Sequence, residues 1–164
     1  MTDEQTKVIT ITLEEQRSLE EAIQADIEKW GWCDISVFGS DQSHPFNYTV
    51  GLDGYEHPEL VAIGCHNEQL HGILCAVVSD IQAGRRFVAN QYYDKILADY
   101  PVAMVEVTDF GQKPYPMSLA KRLSGCKVAL QVVWPDENKR FPWHEDWDQE
   151  FTGHQPLLGE WRGE

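Results

Sequence analysis

The sequence predicts an α+β fold: one mainly antiparallel, twisted sheet with two or three helices packed on it and an aromatic-rich C-terminal strap. Three observations carry this. Short β-prone runs crowd residues 33–64 with no helix-length segment between them, which favours antiparallel neighbours over parallel crossovers. Two stretches, one ending near Trp30-Gly31 and one running from Asn67 to Gly84, repeat apolar residues every three or four positions. Residues 135–164 hold too many aromatic rings for a disordered acidic tail. Residues 1–164 are read as a single domain, with 1–6 disordered and 135–164 as the irregular strap.

In chain order the reading is β-α-β-β-β-α-β-β-α-β. Val8 to Ile11 is a short β-prone run, and Thr12-Leu13-Glu14-Glu15 has the form in which a hydroxyl and a carboxylate satisfy the free amides of a helix start. Leu19, Ala22, Ile23, Asp26, Ile27 and Trp30 form the inward stripe of the helix that follows, closed by Gly31 in a left-handed cap. Cys33 to Phe38 reads as a strand, and Gly39 to Pro45 as a polar loop. Phe46 to Leu52 and His57 to Gly64 then form a strand, polar connection and strand.

Leu70, Ile73, Leu74, Val77, Val78 and Ile81 mark the second helix as the most buried, with Asn67 as its cap. Gly72 inside it costs about 1 kcal/mol relative to alanine, which points to close packing against a neighbour. Arg86 to Ala89 begins an extended segment, Val102 to Val107 is a strand, Pro114 to Leu123 a short helix closed by Gly125, and Lys127 to Trp134 the last strand. Val128, Leu130, Val132 and Trp134 share one face of it.

A chain of 164 residues buries a core without staples. Its four cysteines, Cys33, Cys65, Cys75 and Cys126, show no C-x-x-C pair and read as reduced, structural thiols. No apolar run reaches the roughly 20 residues of a membrane helix, and the N-terminus lacks a signal-peptide pattern, so the cytoplasm is the expected compartment. A net charge of −14, with Arg85-Arg86 and Lys121-Arg122 as the adjacent basic pairs, repels a phosphate backbone and argues against non-specific nucleic-acid binding. The partner it favours is a protein with a basic surface.

Five motifs stand in order: F-x-Y-T-x-G-L at Phe46 to Leu52, H-P-E-L at His57 to Leu60, Q-x-x-W-P-D at Gln131 to Asp136, F-P-W at Phe141 to Trp143, and Q-P-L-x-G at Gln155 to Gly159. Together, over about residues 30 to 160, they resemble the bacterial and phage domain of unknown function 4262 (DUF4262) family. That resemblance implies a family and carries no activity with it. Y-T-x-G-L followed by an E-L strand also bears a fainter likeness to the suppressor-of-fused fold of some bacterial immunity proteins.

Tyr48, Thr49, His57 and Glu59 are the candidates for acid-base work, with His57 as proton-transfer group and Glu59 orienting it. The bland alternative is that Tyr48 and Thr49 close strand and loop hydrogen bonds while His57-Pro58 fixes the turn. His57, Glu59, Cys65 and His66 are ligand-type side chains, but an extended strand puts His66 about 20 Å from His57 at about 3.3 Å per residue, so neither metal nor cofactor is expected. His66 and His71 flank a helix start and its surface. Phosphate-cradling glycine loops are absent.

Trp134, Phe141, Trp143 and Trp147 either line an aromatic groove with an acidic rim at Asp136, Glu145, Asp146 and Asp148, or cover the domain's own core. The lid is preferred for Trp134 and Trp143, while Trp147 and Trp161 are open to either role. The expectation is therefore a non-enzymatic recognition domain of phage or bacterial conflict systems. It docks its partner through Tyr48, Thr49, His57, Trp134, Asp136, Trp143 and Gln155. The alternative is a small hydrolase using His57 and Glu59 with Tyr48 and Asp136.

Overall fold

Thr12 opens the first helix, α1 (Leu13–Trp30), by accepting the Glu15 N–H on its hydroxyl at 3.0 Å, and Gly31 closes it at φ 91° with its N–H on the Ile27 carbonyl. The computed structural model describes residues 12–107, 115–125, 127–147 and 155–164. The strand expected at Val8 to Ile11, residues 1–6, Pro114, Cys126, Asp148 and Phe151 lie outside them.

Among the described residues six strands form one open, mixed sheet: β1 (Cys33–Val37), β2 (Phe46–Val50), β3 (Glu59–Ile63), β4 (Gln91–Leu97), β5 (Tyr100–Val107) and β6 (Ala129–Val133), in the spatial order β1-β2-β3-β6-β5-β4. The three early strands are antiparallel neighbours, as their short connections require. β6 enters between β3 and β5, parallel to β3, with Leu60 opposite Leu130. The helices are α1, α2 (Asn67–Gln82) and α3 (Ser118–Leu123), and a 3-10 turn spans Leu52–Tyr55. The chain is thus a single α+β domain.

Local expectations shift at the element ends. Arg86 to Ala89 is irregular, and β4 starts at Gln91, because Phe87 is drawn under the sheet edge by a side chain described below. Val128 lies outside β6, 42% exposed, so only Leu130, Val132 and Trp134 keep the expected inward face. Asn67 is the first residue of α2 and not its cap. Its amide donates to Asn47 Oδ1 (2.7 Å) and the Val37 carbonyl, while His66 caps the helix with Gln69 returning to its N–H.

Sheet alternation sends two sets of side chains to opposite faces. Leu60, Ala62, Val102, Met104, Leu130 and Val132 meet the buried stripe of α2, whose Leu70, Ile73, Leu74, Val77, Val78 and Ile81 are all buried as their spacing predicts. Each such aliphatic burial stabilises by roughly 2 kcal/mol, which outweighs the propensity cost of one glycine in α2. On the other face α1 and α3 cover β2 and β3 through Ile23, Met117 and Ala120. α1 packs on edge strand β1, so of its expected stripe only Ile23 is buried, and Trp30 stays 61% exposed.

Over Ala103, Val105 and Val133 lies the aromatic strap. Two glutamines tie it down: Gln131 Nε2 donates to the Pro156 carbonyl and its Oε1 accepts the Leu158 N–H, while Gln155 makes the reciprocal pair with the backbone N–H and C=O of Trp134, all at 2.8 Å. Gly159 closes the motif because a Cβ there would collide with the Glu106 carbonyl of β5.

Candidate functional site

The connection between β2 and β3 folds inward. Gly51, at φ 113°, turns its N–H onto Glu59 Oε2 at 2.8 Å, while Oε1 accepts the Thr49 hydroxyl (2.7 Å) and the Leu52 N–H (3.2 Å). The carboxyl group is fully buried; burial pushes its pKa up, against the hydrogen bonds from Thr49, Ser124, Gly51 and Leu52. Thr49 in turn accepts the Leu60 N–H at 2.8 Å. Glu59 is a staple across the turn.

His57 is equally committed. Its Nε2 accepts the Phe87 N–H at 3.1 Å, which puts the ring proton on Nδ1, where it donates to the Pro58 carbonyl at 2.8 Å. Burial lowers its pKa, with the Arg86 charge adding to the effect. This neutral imidazole holds Phe87 beneath the sheet and explains why residues 86–89 leave the strand pattern. Tyr48 faces the opposite layer, its hydroxyl accepting the Leu119 N–H in the first turn of α3, and burial raises its pKa. Thr49 and Glu59 therefore bond each other and the turn backbone, His57 bonds the backbone at Pro58 and Phe87, and Tyr48 bonds that of Leu119 in the other layer, so the four do not converge on one site.

A different place carries the concave surface. Where β3 and β6 run parallel, their carboxyl ends open on a cleft of about 540 Å³, a position in which such strands leave room for ligands. Trp134, Ile73, Leu97 and Tyr100 make its apolar walls, Gln69 and Cys65 stand toward α2, and Asp136 and Glu137 form one rim. Trp134 is fixed by its indole N–H on the Ile63 carbonyl at 2.8 Å and by the Gln155 pair on its backbone. Asp136 is buried and accepts the Asn138 and Arg140 N–H groups on Oδ1, both at 2.9 Å, which leaves the exposed Glu137 as the rim charge. Burial pushes the Cys65 thiol up to about 11, so it stays protonated at neutral pH.

Gly72 lines this cleft, and a Cβ there would meet nothing within 4 Å. The close neighbour expected from a glycine in mid-helix is absent; open space stands in its place. Trp143 lies elsewhere, stacked between Trp161 (4.3 Å, 3°) and Phe141 (5.2 Å, 5°), with its indole N–H on the Tyr92 hydroxyl. Trp147 is buried against Trp134.

So Trp134, Asp136 and Gln155 come together at the cleft, whereas Tyr48, Thr49, His57 and Trp143 do not line it. His57 stands two residues before Glu59, the first of β3, and Trp134 bonds its last, Ile63, and these two ends of the strand are about 13 Å apart at about 3.3 Å per residue. Sequence reasoning missed Gln69, Leu97, Tyr100 and the role of Gly72; only the glycine left a signal.

Among the described residues no helix is long and apolar enough to cross a membrane, and no group of three or more His, Cys, Asp or Glu side chains is arranged to hold a metal ion. No curated protein matches the chain, and no solved structure matches it. A family model does, that of a domain of unknown function, over residues 26–148. With most of the sheet, α2 and the Trp134 cleft inside that match, the chain belongs to the DUF4262 family.

Proposed function

We propose that this chain is a non-enzymatic recognition domain that docks a basic segment of a partner protein, with an apolar side chain of that segment in the Trp134 cleft and its lysines or arginines against the surrounding carboxylates. The observation that carries the reading is Gly72. A glycine in mid-helix costs about 1 kcal/mol and here serves no close packing, but it keeps one wall of an apolar cleft low. Glu137 at the rim, the exposed Asp99 in the neighbouring turn and the net charge of −14 supply the complementary field. Both ring nitrogens of His57 are occupied and Glu59 is enclosed, which weighs against the hydrolase reading at those residues.

The free thiols of Cys33, Cys65 and Cys75 suit a reducing compartment, and we place the domain in the cytoplasm. The bacterial and phage resemblance gives it a setting in conflict between the two. Its charge disfavours nucleic acid and anionic membranes as partners.

The test is titration of isotope-labelled protein with a panel of short peptides that flank leucine, phenylalanine or tryptophan with lysines. Binding should shift the Trp134 indole and Gly72 amide resonances, weaken as salt screens the carboxylates, and vanish in Gly72→Phe, which fills the cleft. If no peptide binds the wild type more tightly than Gly72→Phe, the reading is wrong.

A further inference from the structure

α2 has a second flank, and a separate cleft of about 510 Å³ opens there with no lining residue in common with the first. His71 and Cys75 stand four residues apart on that helix and so face each other, with Cys75 Sγ 3.3 Å from His71 Nε2. The opposite ring nitrogen, Nδ1, lies 2.6 Å from Asp34 Oδ2 on β1. Asp34 is itself held: the side-chain amide of the fully buried Asn47 donates to both its oxygens at 3.1 and 2.9 Å, and Asn67 donates to Asn47 Oδ1. The Trp32 indole lies nearly parallel to the imidazole, centroids 6.5 Å apart at 12°. Cys75 Sγ is also 3.9 Å from Nδ1, so the thiol stands beside the ring, nearer to Nε2, while the carboxylate holds Nδ1, and the three make one thiol, imidazole and carboxylate cluster.

We propose that Cys75, His71 and Asp34 form a nucleophilic thiol centre that takes acyl groups from esters or thioesters carrying a cationic group. Cys75 is the nucleophile, His71 the general base, and Asp34 the positioning residue that keeps the proton on Nδ1 and leaves Nε2, the ring nitrogen nearer the thiol, as the acceptor. His71 is 54% exposed along its side chain, so a substrate reaches the pair from solvent. Trp30, Trp32 and Asp26 line the same cleft, and indole faces beside carboxylates favour a cation over an anion.

The step balances without a co-reactant other than water. Cys75 Sγ bonds the carbonyl carbon as its proton passes to Nε2, the bond to the leaving oxygen or sulfur breaks, and that atom departs with the proton from His71. Water, deprotonated by His71, then attacks the acyl-Cys75 and restores the thiol with release of a carboxylic acid. Burial and the Asp34 charge raise the thiol pKa, so the thiol rests protonated and attack needs the base in the transition state.

The experiment treats the full chain with acetylthiocholine and with S-ethyl thioacetate, an uncharged thioester of the same acyl group, and maps acetylation cysteine by cysteine by mass spectrometry. Cys75 should acetylate at least about tenfold faster than Cys65, whose thiol has no such base. His71→Gln should remove that advantage, and Asp34→Asn should slow acetylation, because the ring loses the acceptor that holds its proton on Nδ1, while Asp34→Glu, which keeps a carboxylate, should restore part of the rate. Thermal melts of each variant establish that it folds. Equal acetylation of Cys75 and Cys65, or an unchanged rate in folded His71→Gln, overturns the centre; equal rates with the two thioesters overturn the cationic substrate.

Discussion

The Thr49 hydroxyl reaches Glu59 Oε1 at 2.7 Å while accepting the Leu60 N–H, so one β2 side chain joins both the backbone and the buried carboxyl group of β3. With the Gly51 and Leu52 amides on the same carboxyl group, the turn between the strands is held from inside the domain. These are the groups that a reading for catalysis would select, and their energetics make separate predictions.

Glu59→Gln turns an NH₂ toward amide or hydroxyl donors, and the protein should lose about 2 kcal/mol in urea denaturation at neutral pH. Because burial holds the native pKa of Glu59 above 4.5, the folded state keeps a proton there that the unfolded chain has released. The contribution of Glu59 is therefore full below pH 4.5 and declines as pH rises through the native value, and the variant should lack that decline.

For His57 the sign reverses. Its native pKa lies below 6.5, so on acidification the unfolded chain takes up a proton before the native ring does, and stability falls as pH drops below 6.5. His57→Ala should flatten that acid limb while costing about 3 kcal/mol, since it leaves the Phe87 N–H without its acceptor beside a void. Denaturation curves between pH 4.5 and 7.5 separate this limb from that of Glu59.

Gln155→Ala removes both hydrogen bonds between the strap and the Trp134 backbone. The expected loss is about 2 kcal/mol, with faster proteolytic cleavage near the C-terminus and a red-shifted tryptophan emission. Emission and cleavage unchanged from the wild type would mean that Gln131 and the aromatic stack hold the strap unaided.

Gly72→Ala should raise stability by about 1 kcal/mol, since a methyl group there meets open space and the helix gains propensity. A melting temperature below that of the wild type would show that the glycine answers a packing need.

Much of the domain is legible in local pattern. The stripe of α2, the hairpin of β2 and β3 and the Thr12 and Gly31 caps follow from residue spacing, because each rests on contacts within a few turns or one tight connection. The site residues behave differently. Pro58 and Phe87 satisfy His57 from opposite directions, and Phe87 is thirty residues away. Asn67 looks like a cap until Asn47, twenty residues earlier on β2, claims its amide.

By itself the sequence determined the α+β class, the buried helix, the net charge of −14 and the strap that aromatic area forces back onto the sheet. Only the tertiary structure decided that β6 slots between β3 and β5, and with it where the clefts open and which polar groups are used up. The reason is physical: apolar periodicity records which side of an element is buried, whereas a cleft or a hydrogen-bonded carboxyl group depends on what distant segments bring to that side.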